Sequence, residues 1–243
     1  MTPPLHDERR TLGPTPVRLV WTGDDMRAAA HRGVLIFGHG FSVDIGVQTQ
    51  ELAAIAGAGY LAVGLDAVGH GARRWPDFDA RFAGDEVRRA RAMFEVVRET
   101  AAEVPAVLDA LLAEGRGRPE RLGIGGISMG GYAAYRACVV DDRLSVLLPI
   151  LAAPRWPLPD HDSPHHHLER FTSLRLLSQT AGDDEVVDVG SAAAFVEQLR
   201  TATGSDGQHR HIEHAGERHH MSEAGWHRLW GNVMAFLDEV WPV

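Results

Sequence analysis

Along this chain apolar residues gather in short runs, separated by longer stretches in which they recur every three or four positions. The runs VRLVW (17–21), GVLIF (33–37), YLAVGL (60–65), RLGIGGI (121–127), SVLLPIL (145–151), LRLLSQ (174–179) and RHIEH (210–214) predict strands. The stretches between them predict helices over 46–58, 85–114, 129–140, 190–203 and 222–240. Strands alternating with helices predict an α/β fold, a mainly parallel central sheet with helices on both faces. In the longest helical stretch Val87, Ala90, Phe94, Val97, Ala101, Val104 and Leu108 step by three or four, as one buried face requires, and Pro105 is expected to kink or divide it. Pro3, Pro4, Pro14 and Pro16 crowd the start, so residues 1–16 are expected to be an irregular arm ahead of a single domain over 17–243.

Composition narrows the function classes. The 243 residues carry 24 basic against 33 acidic side chains, a net charge of −9, with no Lys/Arg block to neutralise a phosphate backbone, so nucleic acid is not an expected partner. MTPPLHDERR has charges where a secretory signal would be apolar, and no run approaches the roughly 18 apolar residues of a membrane span. A soluble, cytoplasmic protein without a membrane partner is the expectation. The lone Cys138 cannot form an internal disulfide and fits a reducing compartment.

The chemistry begins at GGISMGGYAAYRACVV (125–140), which puts one serine among four glycines between a predicted strand and a predicted helix. In Gly126-Ile127-Ser128-Met129-Gly130 the flanking glycines remove β-carbons that would clash in a tight strand-to-helix turn. Such a turn lifts the Ser128 hydroxyl above the sheet edge and leaves the Met129 N–H at a helix N-terminus, where a developing oxyanion is stabilised. The alternative is a close strand–helix crossing that needs small residues for packing alone, and the strand–turn–helix context favours the chemical reading.

From about residue 17 to the C-terminus the sequence resembles the α/β-hydrolase family, which implies that fold and a Ser–acid–His chain order. IFGHGF (36–41) is similar to the family's strand end, which makes Phe41 N–H the second oxyanion-hole donor, with His39 and Gly40 shaping the turn and the pocket beside it. LDAVGHGARRW (65–75) resembles the loop after the next strand, where His70 has a local structural role. AGDDEVVD (181–188) resembles the loop that supplies the acid: its Asp-x-x-Val pattern falls on Asp184, but the glycine spacing is two rather than three, which keeps Asp183 as a competitor. AGERHHMSEAGW (215–226) resembles the Gly-x-x-His loop before the last helix, and Gly216 plus three is His219, with His220 as its neighbour. A serine hydroxyl needs such a histidine to take its proton and a carboxylate to orient the histidine.

Residues 152–173 stand where the family inserts its lid, a short one, in which Trp156, Leu158, Leu168 and Phe171 either wall the substrate pocket or pack on the core. HDSPHHHLERF (161–171) holds four histidines, but the adjacent His165, His166 and His167 point in divergent directions, so no metal site and no cofactor are expected. Arg73 and Arg74 are expected to pair with Asp77, Asp79 or another surface acid. The elbow carries serine where dienelactone hydrolases, with the same HGF and GHG layout, carry cysteine; this departure argues against a dienelactone substrate. The resemblance thus implies a serine hydrolase for small carboxylic esters. A thioesterase or small peptidase would use the same triad, and a catalytically silent binding protein is the alternative of a different class.

Overall fold

The computed structural model describes residues 3–242. In chain order its elements are β1 (Leu5–Leu12), β2 (Thr15–Thr22), α1 (Met26–Arg32), β3 (Val34–Gly38), α2 (Thr49–Gly57), β4 (Leu61–Leu65), α3 (Phe78–Arg81), α4 (Glu86–Ala113), β5 (Leu122–Ile127), α5 (Met129–Val140), β6 (Val146–Ile150), β7 (Arg175–Ala181), α6 (Val189–Thr203), β8 (His209–His214) and α7 (Glu223–Val240). The eight strands form one sheet in the order β1-β2-β4-β3-β5-β6-β7-β8. β4 through β8 in that order run parallel, whereas β2 pairs antiparallel with β4 and β1 antiparallel with β2.

The central strands read as unbroken apolar runs because both faces are covered. VLIFG, LAVGL and VLLPI are buried at every position. On one face Val97, Val104 and Leu108 of α4, Ala134 of α5 and Phe195 of α6 join the core. On the other, Leu52 and Ile55 of α2 pack with Val233, Phe236 and Leu237 of α7. The parallel strands end along one edge, and the loops beyond β3, β5, β7 and β8 carry the predicted site residues, as open α/β sheets place their sites.

Three expectations are corrected. The first is the irregular arm: its residues 1–2 lie outside the described residues, but 5–12 form β1, paired with β2 from Leu5↔Thr22 to Leu12↔Thr15. Pro3 and Pro4 precede this hairpin, Pro14 follows Gly13, at φ 57, in its turn, and Pro16 is paired with Thr11 near the start of β2. β1 is an edge strand with its residues alternately exposed and half-buried, so its sequence, LHDERRTL, lacks the apolar alternation of a strand facing the core. Second, α4 continues unbroken through Pro105. Its buried face, Phe94, Val97, Ala101, Val104 and Leu108, spans the proline, and packing outweighs the roughly 3 kcal/mol that an interior proline costs. Third, this stripe starts only at Phe94, and Val87 is exposed.

The segment after β6 contains only two single 3-10 turns, Pro164–His166 and Leu168–Phe171. It lies on the α4–α6 face: Phe171 meets the edge of Phe195 at 5.1 Å, and Trp156 stacks on Phe94 at 4.8 Å. Arg98 pairs with Asp160 and Arg136 with Asp162, tying the segment down. Among the described residues no helix is long and apolar enough to cross a membrane.

Candidate active site

Ser128 occupies the turn from β5 into α5 with φ 53 and ψ −114, a conformation that side chains other than glycine rarely adopt. Its N–H donates to the Ile150 carbonyl at 2.8 Å, and its carbonyl accepts the Tyr132 N–H at 3.0 Å, so β6 and the first turn of α5 hold it there. The surrounding glycines permit close backbone approach. A β-carbon on Gly130 would stand 2.3 Å from the Gly38 carbonyl oxygen, and one on Gly126 would stand 2.5 Å from the Gly130 carbonyl carbon. Since these obstacles are backbone, Gly130→Ala is expected to destabilise the protein by about 2–3 kcal/mol, a melting-temperature drop of about 5–10 °C. Gly231→Ala is the control: a β-carbon there meets nothing within 4 Å, and on the α7 helix it should add about 1 kcal/mol. Equal melting temperatures for the two variants would refute the close approach.

Beyond β7 and β8 the chain brings Asp184 and His219 to this serine. The Ser128 Oγ lies 3.0 Å from His219 Nε2, and His219 Nδ1 lies 2.8 and 3.1 Å from the two Asp184 carboxylate oxygens. The Asp184 side chain is 0 % exposed and that of His219 12 %. A carboxylate only accepts, so Nδ1 carries the proton and Nε2 presents its lone pair to the Ser128 hydroxyl. Asp184 Oδ1 also accepts the N–H groups of Val186 (2.8 Å) and Val187 (3.0 Å), which fixes the carboxylate on its own loop. Asp183 is exposed and makes its contact through its N–H, to the Glu217 carbonyl at 2.8 Å. His220 is exposed too, with its ring edge-on to His219 at 5.8 Å. Gly182, which opens the acid loop, abuts the end of β8, where an added β-carbon would be 3.1 Å from the Ala215 Cα.

The loop after β3 is organised by His39, which is buried and does not face an open cleft. Its Nε2 accepts the Ala67 N–H at 3.0 Å, so its Nδ1 is protonated and donates to the Gly40 carbonyl at 2.7 Å. Burial holds its pKa below the usual histidine value, in keeping with a neutral ring. The Gly40 carbonyl and the Phe41 N–H belong to one planar trans peptide, so holding the carbonyl aims the N–H the opposite way. Met129, as the first residue of α5, has an N–H without an intrahelical acceptor. The Phe41 ring is 38 % exposed and packs on Phe82 at 4.7 Å and Phe78 at 5.7 Å.

Other candidates lie apart from the triad. Burial lowers the pKa of His70 to about 4; its Nδ1 contacts the Val68 carbonyl at 2.9 Å and its ring meets Phe78 edge-on. Arg73 pairs with Glu103 at 2.6 Å and Arg74 with Asp79 at 3.3 Å. Trp156 is 3 % exposed, and with Phe94 and Leu158 it lines a cavity of about 460 Å³; Phe94 meets Tyr132, so Trp156 is two rings removed from the turn bearing Ser128. The His165 and His166 rings lie tilted at 38° with centroids 3.9 Å apart, and among the described residues no three His, Cys, Asp or Glu side chains converge to hold a metal ion. Sequence reasoning missed Gln48, whose Nε2 donates to the Gly38 carbonyl at 3.0 Å beneath the elbow, and the aromatic pair Phe78 and Phe82. A polar residue opening a helix and a phenylalanine pair in a charged stretch gave no signal of either role.

No protein-family model matches the chain. It is similar to the esterase YjfP of Escherichia coli K12, 26% identical over 199 residues that span 71% of this chain and 76% of that protein. Among solved structures, TT1662 from Thermus thermophilus superimposes with a TM-score of 0.80 at 18% identity, covering 99% of both chains. A cold-adapted esterase from an Arctic intertidal metagenomic library superimposes at 0.66 with 20% identity, covering 99% of this chain and 95% of that one. With a mostly parallel eight-stranded sheet, helices on both faces and this superposition over nearly the whole chain, the chain has the α/β-hydrolase fold.

Proposed function

We propose that the protein is a serine hydrolase that cleaves small carboxylic esters through an acyl-enzyme. The observation that carries this reading is the continuous chain of contacts from Ser128 Oγ through both nitrogens of His219 to Asp184, at 3.0 and 2.8 Å. In the proposed reaction His219 Nε2 takes the hydroxyl proton as Ser128 Oγ bonds to the ester carbonyl carbon, and Asp184 stabilises the resulting imidazolium. The negative oxygen of the tetrahedral intermediate is held by the Phe41 and Met129 N–H groups. As the intermediate collapses, the bond to the alkoxy oxygen breaks and His219 gives that oxygen the proton. Water then adds to the acyl-serine, losing a proton to His219, and the second collapse frees the carboxylic acid and returns a proton to Ser128 Oγ.

The likeness to two esterases supports hydrolysis of an ester bond. The acyl side is short in this reading, because the segment after β6 packs on α4–α6, with Trp156 and Phe171 buried, and the cavity that Trp156 lines is two rings removed from the turn bearing Ser128. Each additional methylene must be buried to contribute its roughly 0.8 kcal/mol. Initial rates over aryl esters of increasing acyl length are therefore expected to give a kcat/KM that peaks between acetyl and hexanoyl and falls beyond. A rate rising through long-chain esters would contradict the short pocket. Higher kcat/KM on a thioester or a peptide anilide in the same series would replace the ester as the substrate class.

A further inference from the structure

The proposed base sits on a loop without regular structure: residues 215–222 join β8 to α7, and His219 lies in their middle. A histidine so placed keeps hydrogen-bond reach of both a serine and a carboxylate only if the loop is held, since about 1 Å of misplacement can cost 100-fold in rate. One side chain closes the loop. Glu217, 8 % exposed, accepts the Ser222 N–H at 2.8 Å through Oε2, and the Ser222 Oγ–H at 2.8 Å and Arg228 Nη2 at 2.9 Å through Oε1. Residues 217–222 thus form a ring closed by a carboxylate, with the base inside it.

The main chain of the same residue reaches the acid loop. Its carbonyl accepts the Asp183 N–H at 2.8 Å, one residue before Asp184. Its own N–H donates to the His214 carbonyl at 3.2 Å, which also accepts the Gly182 N–H at 2.8 Å. Glu217 is therefore bonded to the loop of the acid by its backbone and to the far end of the loop of the base by its side chain. Capping α7 does not account for it, because Ser222 is already the N-cap, its Oγ accepting the Gly225 N–H at 3.0 Å. The fit is close: a β-carbon on Gly225 would lie 2.2 Å from Glu217 Oε1. The exposed Arg218–Glu185 pair, 3.0 Å apart, also crosses between the two loops, but a surface ion pair contributes little.

We infer that Glu217 is the positioning residue of the site, holding His219 at once within reach of Asp184 and Ser128 while touching no reacting atom. The inference rests on the serine-hydrolase reading above. Glu217→Gln keeps the volume but turns an amide NH2 toward the donors of Ser222 and Arg228; Glu217→Ala removes the closure altogether. Steady-state kinetics on an aryl acetate, normalised to fluorophosphonate-titrated sites, should give a kcat about 30- to 100-fold below wild type in Glu217→Gln, with KM within about twofold. The downfield proton resonance of the His219 Nδ1–H bound to Asp184, assigned by its loss in His219→Gln, should disappear or broaden in Glu217→Gln while a cooperative melting transition remains. A variant that melts lower but keeps the resonance and a kcat per titrated site within about threefold of wild type would overturn the inference and leave Glu217 a structural tie. If Glu217→Ala does not fold, the isosteric variant carries the comparison. Absence of ester turnover in the wild type would count against the hydrolase reading, while the resonance would still decide whether Glu217 positions His219.

Discussion

Ser128→Ala is expected to lower aryl-ester hydrolysis by about 10⁴- to 10⁶-fold, because the substitution removes the only atom that forms the acyl bond and leaves binding and oxyanion contacts in place. The fold should be unaffected. What holds residue 128 in its strained conformation is its main chain, bonded to Ile150 and Tyr132, and the glycines around it. The side chain makes one hydrogen bond, to His219. Circular dichroism and thermal melting should therefore match wild type while kcat collapses. Activity within tenfold of wild type in the folded variant would remove Ser128 from the mechanism.

Asp184→Asn should be nearly as damaging, at about 10⁴-fold in kcat, for a reason visible in its contacts. The asparagine carbonyl can still accept from Val186 and Val187, so the loop stays folded, but this turns the NH2 toward His219 Nδ1. That nitrogen must then give up its proton and become the acceptor. The imidazole is left in the wrong tautomer, with Nε2–H facing Ser128 and unable to take the hydroxyl proton. Asp183→Asn, at an exposed position, should change kcat by less than about threefold. The same contrast applies to the histidines, since His219→Ala removes the base whereas His220→Ala removes a ring edge-on to it. Parallel kinetics on the four variants check both contrasts, and a reversed ranking in either pair would reassign the acid or the base.

Much of this was legible in the sequence because the central strands are apolar on both sides and the turns between elements are marked by glycine. Seven of the strands and the five long helices follow from that pattern. β1 did not, since an edge strand needs no apolar face and its charged residues read as an arm. The short α1 and α3, of seven and four residues, are too brief for a periodicity to show. At the site, Ser128 announces itself by its glycines, whereas the choices between Asp183 and Asp184 and between His219 and His220 rest on contacts that only the folded chain brings together. Glu217 was hidden for a different reason. In GERHH it is one polar residue among four, and what buries it is the approach of α7, with Gly225 leaving room for its carboxylate. His39 was legible as a turn residue, but its role in holding the Gly40–Phe41 peptide appears only with Ala67 beneath it.

The most direct test of the proposed mechanism is the mapping of a fluorophosphonate adduct by peptide mass spectrometry. An activated serine attacks the phosphorus and displaces fluoride, so the reagent marks the nucleophile itself. The wild-type protein is expected to carry one adduct, on the peptide containing Ser128, formed far more slowly in His219→Ala and absent in Ser128→Ala. An adduct on another residue, or undiminished ester hydrolysis by a protein fully labelled at Ser128, would contradict the assignment of Ser128 as the nucleophile.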